Sequence, residues 1–256
     1  MTESYAVLLS FEFGAVAVAT FLAGFMRGFV GFGGAMVAVP ALALAFGPLV
    51  AMPVATLFGL PSTAQLLPTA IREAERALVL PIGAAVFFGA PLGTLILVSV
   101  SAIVIKISIG ALVLAMAVFL SLGWRLGKQV PMAVLLAAGG AGGLVQGAAG
   151  IGGPPVVAVA LSRHGTPAQQ RANVIGVMTA VSLSAFLPLL YFDLFSTEVL
   201  ILGLALTPIY SGSTWLGSRY FNLGGSRYFR LAALMMLALV GLVTLVASLR
   251  DYLLSV

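Results

Sequence analysis

An arginine among glycines, inside a long apolar run, is the feature of this chain with the clearest potential for chemistry. The stretch Gly24-Phe25-Met26-Arg27-Gly28-Phe29-Val30-Gly31-Phe32-Gly33-Gly34 joins a permanent cation to a backbone free to leave helical geometry. A cation at membrane depth is a functional hypothesis by default. A helix restarting after such glycines offers unpaired N–H groups and the positive end of its dipole, which together suit an anion. A second glycine run, Gly150-Ile151-Gly152-Gly153, follows Gln146. The expected anion-binding set is therefore Arg27, Gly31, Gly33 and Gly34 with Gln146, Gly150, Gly152 and Gly153. Thr63, Gln65, Ser182 and Ser184, on other apolar segments, could complete the cavity. Each hydroxyl has a plainer alternative in bonding its own helix backbone, and Arg27 has one in snorkelling to the surface. Asn173, with Arg171 close by, is a more peripheral candidate.

The elements that must position these residues follow from composition. Of 256 residues 61% are hydrophobic and 7% charged, with mean hydropathy +1.18, against about 25% charged in a soluble domain. This predicts an all-α integral membrane protein. Its continuous apolar runs exclude the alternating ten-residue segments of a barrel. The net charge of +5 and pI near 10.0 report membrane orientation, not a nucleic-acid footprint. With no cysteine, disulfide and thiolate chemistry are excluded. The first apolar run, Tyr5 to Met26, is too long for a signal-peptide core and follows Glu3, not a basic segment. The first cation comes after it, so the N-terminus is expected outside.

Spans are expected from Ser4 to Gly28, Leu49 to Thr69, Leu78 to Val100 and Ile103 to Gly123, then Pro131 to Gly147, Ala172 to Tyr191, Val199 to Leu216 and Leu231 to Leu249. Two short segments, Ala35 to Phe46 and Pro154 to Ser162, follow the glycine runs. Gly47-Pro48 stops the first of them, and Arg72 to Arg76 reads as a charged loop. A shift of 119 residues places Gly24, Gly28, Gly31, Gly33 and Gly34 on Gly143, Gly147, Gly150, Gly152 and Gly153. It also places Arg27 on Gln146 and Thr63 on Ser182. A shift of 124 aligns Leu92-Gly93 with Leu216-Gly217. The expected organisation is two transmembrane repeats, 1–128 and 129–256. Each has a glycine-broken helix hairpin plus three spanning helices. The cationic Trp124–Lys128, Arg163–Arg171 and Arg219–Arg230 regions would lie inside and the acidic Asp193–Glu198 link outside. The halves then run in opposite orientation, with both termini outside. Inverted repeats of this kind place substrate near the midplane.

The motif readings narrow further. A dinucleotide fingerprint needs G-x-G-x-x-G after a strand, and a P-loop needs Gly-Lys-Ser/Thr; neither is present. Gly24-x-x-x-Gly28 and Gly139-x-x-x-Gly143-x-x-x-Gly147 have the spacing of close helix packing. The denser Gly31-x-Gly33-Gly34 and Gly150-x-Gly152-Gly153 suit a chain break, since each glycine inside a helix costs about 1 kcal/mol against alanine.

Gly28-Phe29-Val30-Gly31-Phe32-Gly33-Gly34 with Pro40, and Gln146-Gly147-Ala148-Ala149-Gly150-Ile151-Gly152-Gly153-Pro154-Pro155, resemble the TauE/SafE sulfite exporters, also called the 4-toluene sulfonate uptake permease family. The resemblance extends over nearly the whole chain. It implies an inner-membrane transporter of sulfur-containing anions such as sulfite, sulfoacetate or other sulfonates.

The residues themselves leave an anion channel, or a carrier for another small oxyanion or carboxylate, as alternatives. Paired carboxylates, a histidine cluster and a nucleophile–base pair are missing from the spans, which argues against an intramembrane enzyme. Two broken helices without a ligand argue against a scaffold. No cofactor, metal or nucleic-acid partner is expected. For proton coupling, Glu12 lies near a span's outer end and His164 in a loop, so any coupled proton would travel on the substrate.

Overall fold

The structure is a computed structural model that describes residues 11–121, 130–162 and 166–222, with a few positions between 242 and 253. Ten helices stand in these residues. They are α1 (Phe11–Val30), α2 (Gly34–Phe46), α3 (Pro48–Glu73), α4 (Arg76–Ser99) and α5 (Ala102–Ser121), then α6 (Met132–Ala149), α7 (Gly153–Ser162), α8 (Pro167–Ser184), α9 (Phe186–Tyr191) and α10 (Thr197–Asn222). Six helical stretches are long and apolar enough to cross a membrane: Phe11–Val30, Pro48–Glu73, Arg76–Ser99, Met132–Ala149, Gln169–Tyr191 and Thr197–Tyr220. The expected last span, the Trp124–Lys128 belt, and Arg163 with His164 lie outside the described residues.

The breaks fall at the dense glycines. Gly31, Gly33 and Gly150 have φ of 94°, 88° and 70°, a left-handed region that residues with a Cβ rarely adopt. Helix α2 has 13 residues and α7 has 10, about 20 and 15 Å of rise, short of a core about 30 Å thick. Helix α2 is apolar on every side, and Met36, Val37, Ala38, Val39, Pro40, Leu42 and Ala43 are all buried. A helix of that kind belongs in a protein interior, and it forms part of the larger apolar core with α3 residues Met52, Val54 and Phe58. Gly47, with φ 83°, ends α2, and Pro48 starts α3 at its first position.

Two expectations need correction. Arg72 and Glu73 belong to α3 and Arg76 opens α4, so Ala74 and Glu75 alone form the link. The Ala172–Tyr191 span begins earlier, at Pro167, where Thr166 accepts a hydrogen bond from the Gln169 N–H at 3.2 Å. That span also divides at Ala185 into α8 and α9. Pro188 lacks the N–H that would bond the Ser184 carbonyl four residues back, and its ring crowds that carbonyl.

Two long pairings organise the bundle: α4 lies along α6, and α10 lies along α1. Both depend on glycine. A Cβ on Gly28 would strike the Thr214 carbonyl and lie 2.9 Å from Ser218 N, and one on Gly217 would strike the Phe25 carbonyl. On the other side, a Cβ on Gly147 would strike the Ala90 carbonyl, and one on Gly93 the Leu144 carbonyl. Backbones approach this closely only where side chains are missing.

Candidate functional site

Arg27 sits one turn before the end of α1, and its side chain points into the bundle with 5% of its surface exposed. Its Nη2 donates to Thr63 Oγ1 on α3 at 2.8 Å and to Ser182 Oγ on α8 at 3.2 Å. Both hydroxyls point their own hydrogens elsewhere. Thr63 donates to the Gly59 carbonyl at 2.9 Å and Ser182 to the Met178 carbonyl at 2.8 Å. A hydroxyl whose hydrogen is committed to its helix can only accept from a further partner, so both offer lone pairs to the guanidinium. Thr63 and Ser182 stand two to three residues from the midpoints of the spans Pro48–Glu73 and Gln169–Tyr191, about 4 Å of helix rise. The guanidinium is therefore held beside the middle of these two apolar helices, buried among them instead of extended to the protein surface. Its Nε is buried with no hydrogen-bond partner among the described residues.

The start of α2 lies against this cation. A Cβ on Gly34 would be 3.1 Å from Arg27 Cβ, 2.8 Å from the Ala23 carbonyl, and in collision with the Tyr210 hydroxyl. No side chain caps α2, which leaves donors of its first turn without the usual partner. Tyr210, 2% exposed on α10, has its hydroxyl near Ser62, and its ring is tilted against Phe58 with centroids 4.5 Å apart. The sequence reading missed Tyr210 and Ser62. The signal was the run Thr207-Pro208-Ile209-Tyr210-Ser211-Gly212-Ser213-Thr214, dense in hydroxyls within an apolar span.

The remaining candidates divide. Gly31 packs on α8, where a Cβ would meet Ile175 Cγ1 at 2.9 Å; Gly33 lies against Met26. Gln146 is buried, and its Oε1 accepts from Gly152 N at 3.1 Å, so the amide closes its own hairpin. A Cβ on Gly150 would lie 2.5 Å from Met52 Sδ and 3.1 Å from Val39 Cγ2, and one on Gly153 would lie 3.0 Å from Met178 Sδ. Ser184 donates to the Val181 carbonyl at 2.9 Å, and Gln65 is exposed on α3. Near the Ala74–Glu75 link, Arg171 Nη2 donates to the Gly28 carbonyl at 2.9 Å and to Ser218 Oγ at 3.2 Å. Asn173 accepts from Glu75 N at 2.7 Å and donates back to its carboxylate at 3.3 Å. These two form a polar latch across α8, α1, α10 and the α3–α4 link, and neither takes part in the Arg27 cluster.

The family model described as sulfite exporter TauE/SafE matches residues 16–244. The chain belongs to that family. No curated protein and no solved structure matches it. The matched range takes in both glycine hairpins and the whole Arg27 cluster of this TauE/SafE chain. Family and fold together make it a multi-pass membrane protein of a family that transports sulfur anions across the bilayer.

Proposed function

We propose that this TauE/SafE member is a secondary transporter that carries sulfite, sulfoacetate or other sulfonates across the inner membrane by alternating access, with Arg27 as the counter-charge of the substrate. The observation that carries this is Arg27 itself, buried beside the middle of two apolar helices and shared between Thr63 and Ser182, positions 119 residues apart. Substrate oxygens accept several hydrogen bonds at once, which suits a guanidinium beside the uncapped start of α2. Thr63 and Ser182 would release Arg27 to the anion or stay as part of its cradle.

The proposed architecture is two inverted repeats, 1–128 and 129–256, related across the membrane plane with both termini outside. Matched contacts support the duplication. Gly28 meets Thr214 and Ser218 while Gly147 meets Ala90 and Thr94; Gly217 meets Phe25 and Phe29 while Gly93 meets Leu144 and Ala148. The same two shifts, 119 for α1 and α6 and 124 for α4 and α10, relate each contact to its counterpart. In such folds one repeat rocks against the other around a fixed site. A catalytic role has no support in the cluster, which holds one cation and neutral hydroxyls.

The test is uptake of labelled sulfite and sulfonates by proteoliposomes. Saturable flux that is lost in Arg27→Gln, with the variant still folded, is the expected result. No flux of any sulfur oxyanion by the intact protein would overturn the reading, and flux that never saturates would make the protein a channel.

A further inference from the structure

We propose that Tyr210 is a second substrate-binding residue, its hydroxyl donating to an oxygen of the anion held at Arg27, with Ser62 holding that hydroxyl when no anion is bound. The proposal rests on the reading of Arg27 as the substrate's counter-charge and adds a neutral donor to it. Tyr210 and Ser62 are 2% and 0% exposed, and the Tyr210 hydroxyl lies near Ser62. The same hydroxyl reaches the first residue of α2. A Cβ on Gly34 would collide with it and would also lie 3.1 Å from Arg27 Cβ. Tyr210 therefore stands beside both the cation and the uncapped start of α2.

The hydrogens on α3 decide which way these groups bond. Ser62 and Thr63 each donate to the Gly59 carbonyl at 2.9 Å. Two neighbouring hydroxyls thus present only lone pairs to further partners. Thr63 accepts from Arg27 Nη2, and Ser62 can serve Tyr210 only as an acceptor. Helix α3 holds two donors side by side in this way, a guanidinium and a phenol. An anionic oxygen is a stronger acceptor than a neutral hydroxyl, so the phenol hydrogen turns from Ser62 to the anion when one binds.

The other half of the chain supplies a comparison within the molecule. The shift of 124 places Tyr210 on Val86, and the contacts agree. A Cβ on Gly24 would lie 2.5 Å from the Tyr210 carbonyl, and one on Gly143, 119 residues later, would strike the Val86 carbonyl. The shift of 119 places Phe58 and Ser62 on Val177 and Val181. Val86, Val177 and Val181 are all buried in the second apolar core. Valines meet the packing needs of this corner of the fold, whereas buried hydroxyls bring a desolvation cost that packing does not require. The hydroxyl pair occurs on the side that carries Arg27, and the valine pair on the side that carries Gln146.

The experiment compares Tyr210→Phe and Ser62→Ala with the intact protein in proteoliposome uptake of labelled sulfite or sulfoacetate, whichever the intact protein carries. Tyr210→Phe keeps the ring against Phe58 and removes the hydroxyl. Its Michaelis constant should rise about tenfold, with the melting temperature of the ligand-free protein kept. Ser62→Ala removes only the competing acceptor, so its Michaelis constant should fall about fivefold. A phenol oxygen is placed by its ring, so Ser62 orients a hydrogen alone, whereas the flexible Arg27 stem needs Thr63 and Ser182 to place its guanidinium. An unchanged constant in Tyr210→Phe would overturn the proposal. So would a rise in both variants, the mark of a pair that only braces α3 against α10. If Tyr210→Phe does not fold, Ser62→Ala decides alone, and a constant that is raised or unchanged overturns the proposal. Arg27→Gln separates the two readings. Flux lost there beside an unchanged Tyr210→Phe removes this proposal only. Flux kept there, or no flux of either anion by the intact protein, removes the reading of Arg27 and this proposal with it.

Discussion

The two glycine hairpins share a backbone plan and differ in what surrounds it. In the first, Gly31 and Gly33 turn the chain and the residue before Gly28 is an arginine. An arginine cannot accept a hydrogen bond, so it leaves α2 uncapped and reaches out to α3 and α8. In the second, the residue before Gly147 is a glutamine, which accepts from Gly152 N and seals the hairpin upon itself. Their flanks differ as well. Gly31 is packed by α8 beside Arg171, whereas Gly150 is packed by α3 through Met52, 119 residues before Arg171. One hairpin leaves its second helix uncapped beside a cation and is latched by polar groups. The other is satisfied internally and packed by a thioether. The sequence alone suggests two facing anion cradles made unequal by Arg27; the structure adds that Gln146 closes the second upon its own backbone, with the anion proposed to bind at the first.

Substitutions can break or sharpen this contrast. The largest effect should come where the hairpins are alike. Gly28→Val and Gly147→Val each place a side chain on a facing carbonyl, and each should cost more than about 4 kcal/mol. Both variants should show aggregation on extraction and a collapsed melting transition. If only one of them does so, the two helix pairs are not equivalent. Arg27→Gln should lower transport about 100-fold, from loss of charge-assisted hydrogen bonds worth about 1.5–3 kcal/mol each, with Arg27→Lys intermediate. Proteoliposome flux measures this.

Gln146→Ala strips the acceptor from a buried N–H and should cost about 1–3 kcal/mol of stability. Its signature is a lower melting temperature with transport kept within a few-fold, the reverse of Arg27→Gln. Thr63→Val and Ser182→Ala each remove one acceptor from Arg27. Each should reduce apparent affinity about fivefold, a loss near 1 kcal/mol, and by similar amounts if the guanidinium is shared evenly. Gln65→Ala, at an exposed position, should change stability by less than about 0.5 kcal/mol and leave saturation kinetics unchanged.

Sequence alone determined the class and the places where the chain must turn. Its composition demands a helical membrane protein, and the clustered glycines mark the breaks seen at Gly31, Gly33 and Gly150. The spacing of Gly24, Gly28, Gly143 and Gly147 marks close backbone approach. These are readable because hydropathy, backbone freedom and the missing Cβ belong to the local chain. Tertiary structure decided which polar groups meet. Thr63 and Gln65 are two residues apart on one helix, so they point to nearly opposite sides; one binds Arg27 and the other is exposed. Tyr210 reaches the cluster from a helix far along the chain, and Gln146 turns inward because an N–H lies within its reach. Such choices depend on how each helix is rotated against its neighbours, and that is set by packing between distant segments.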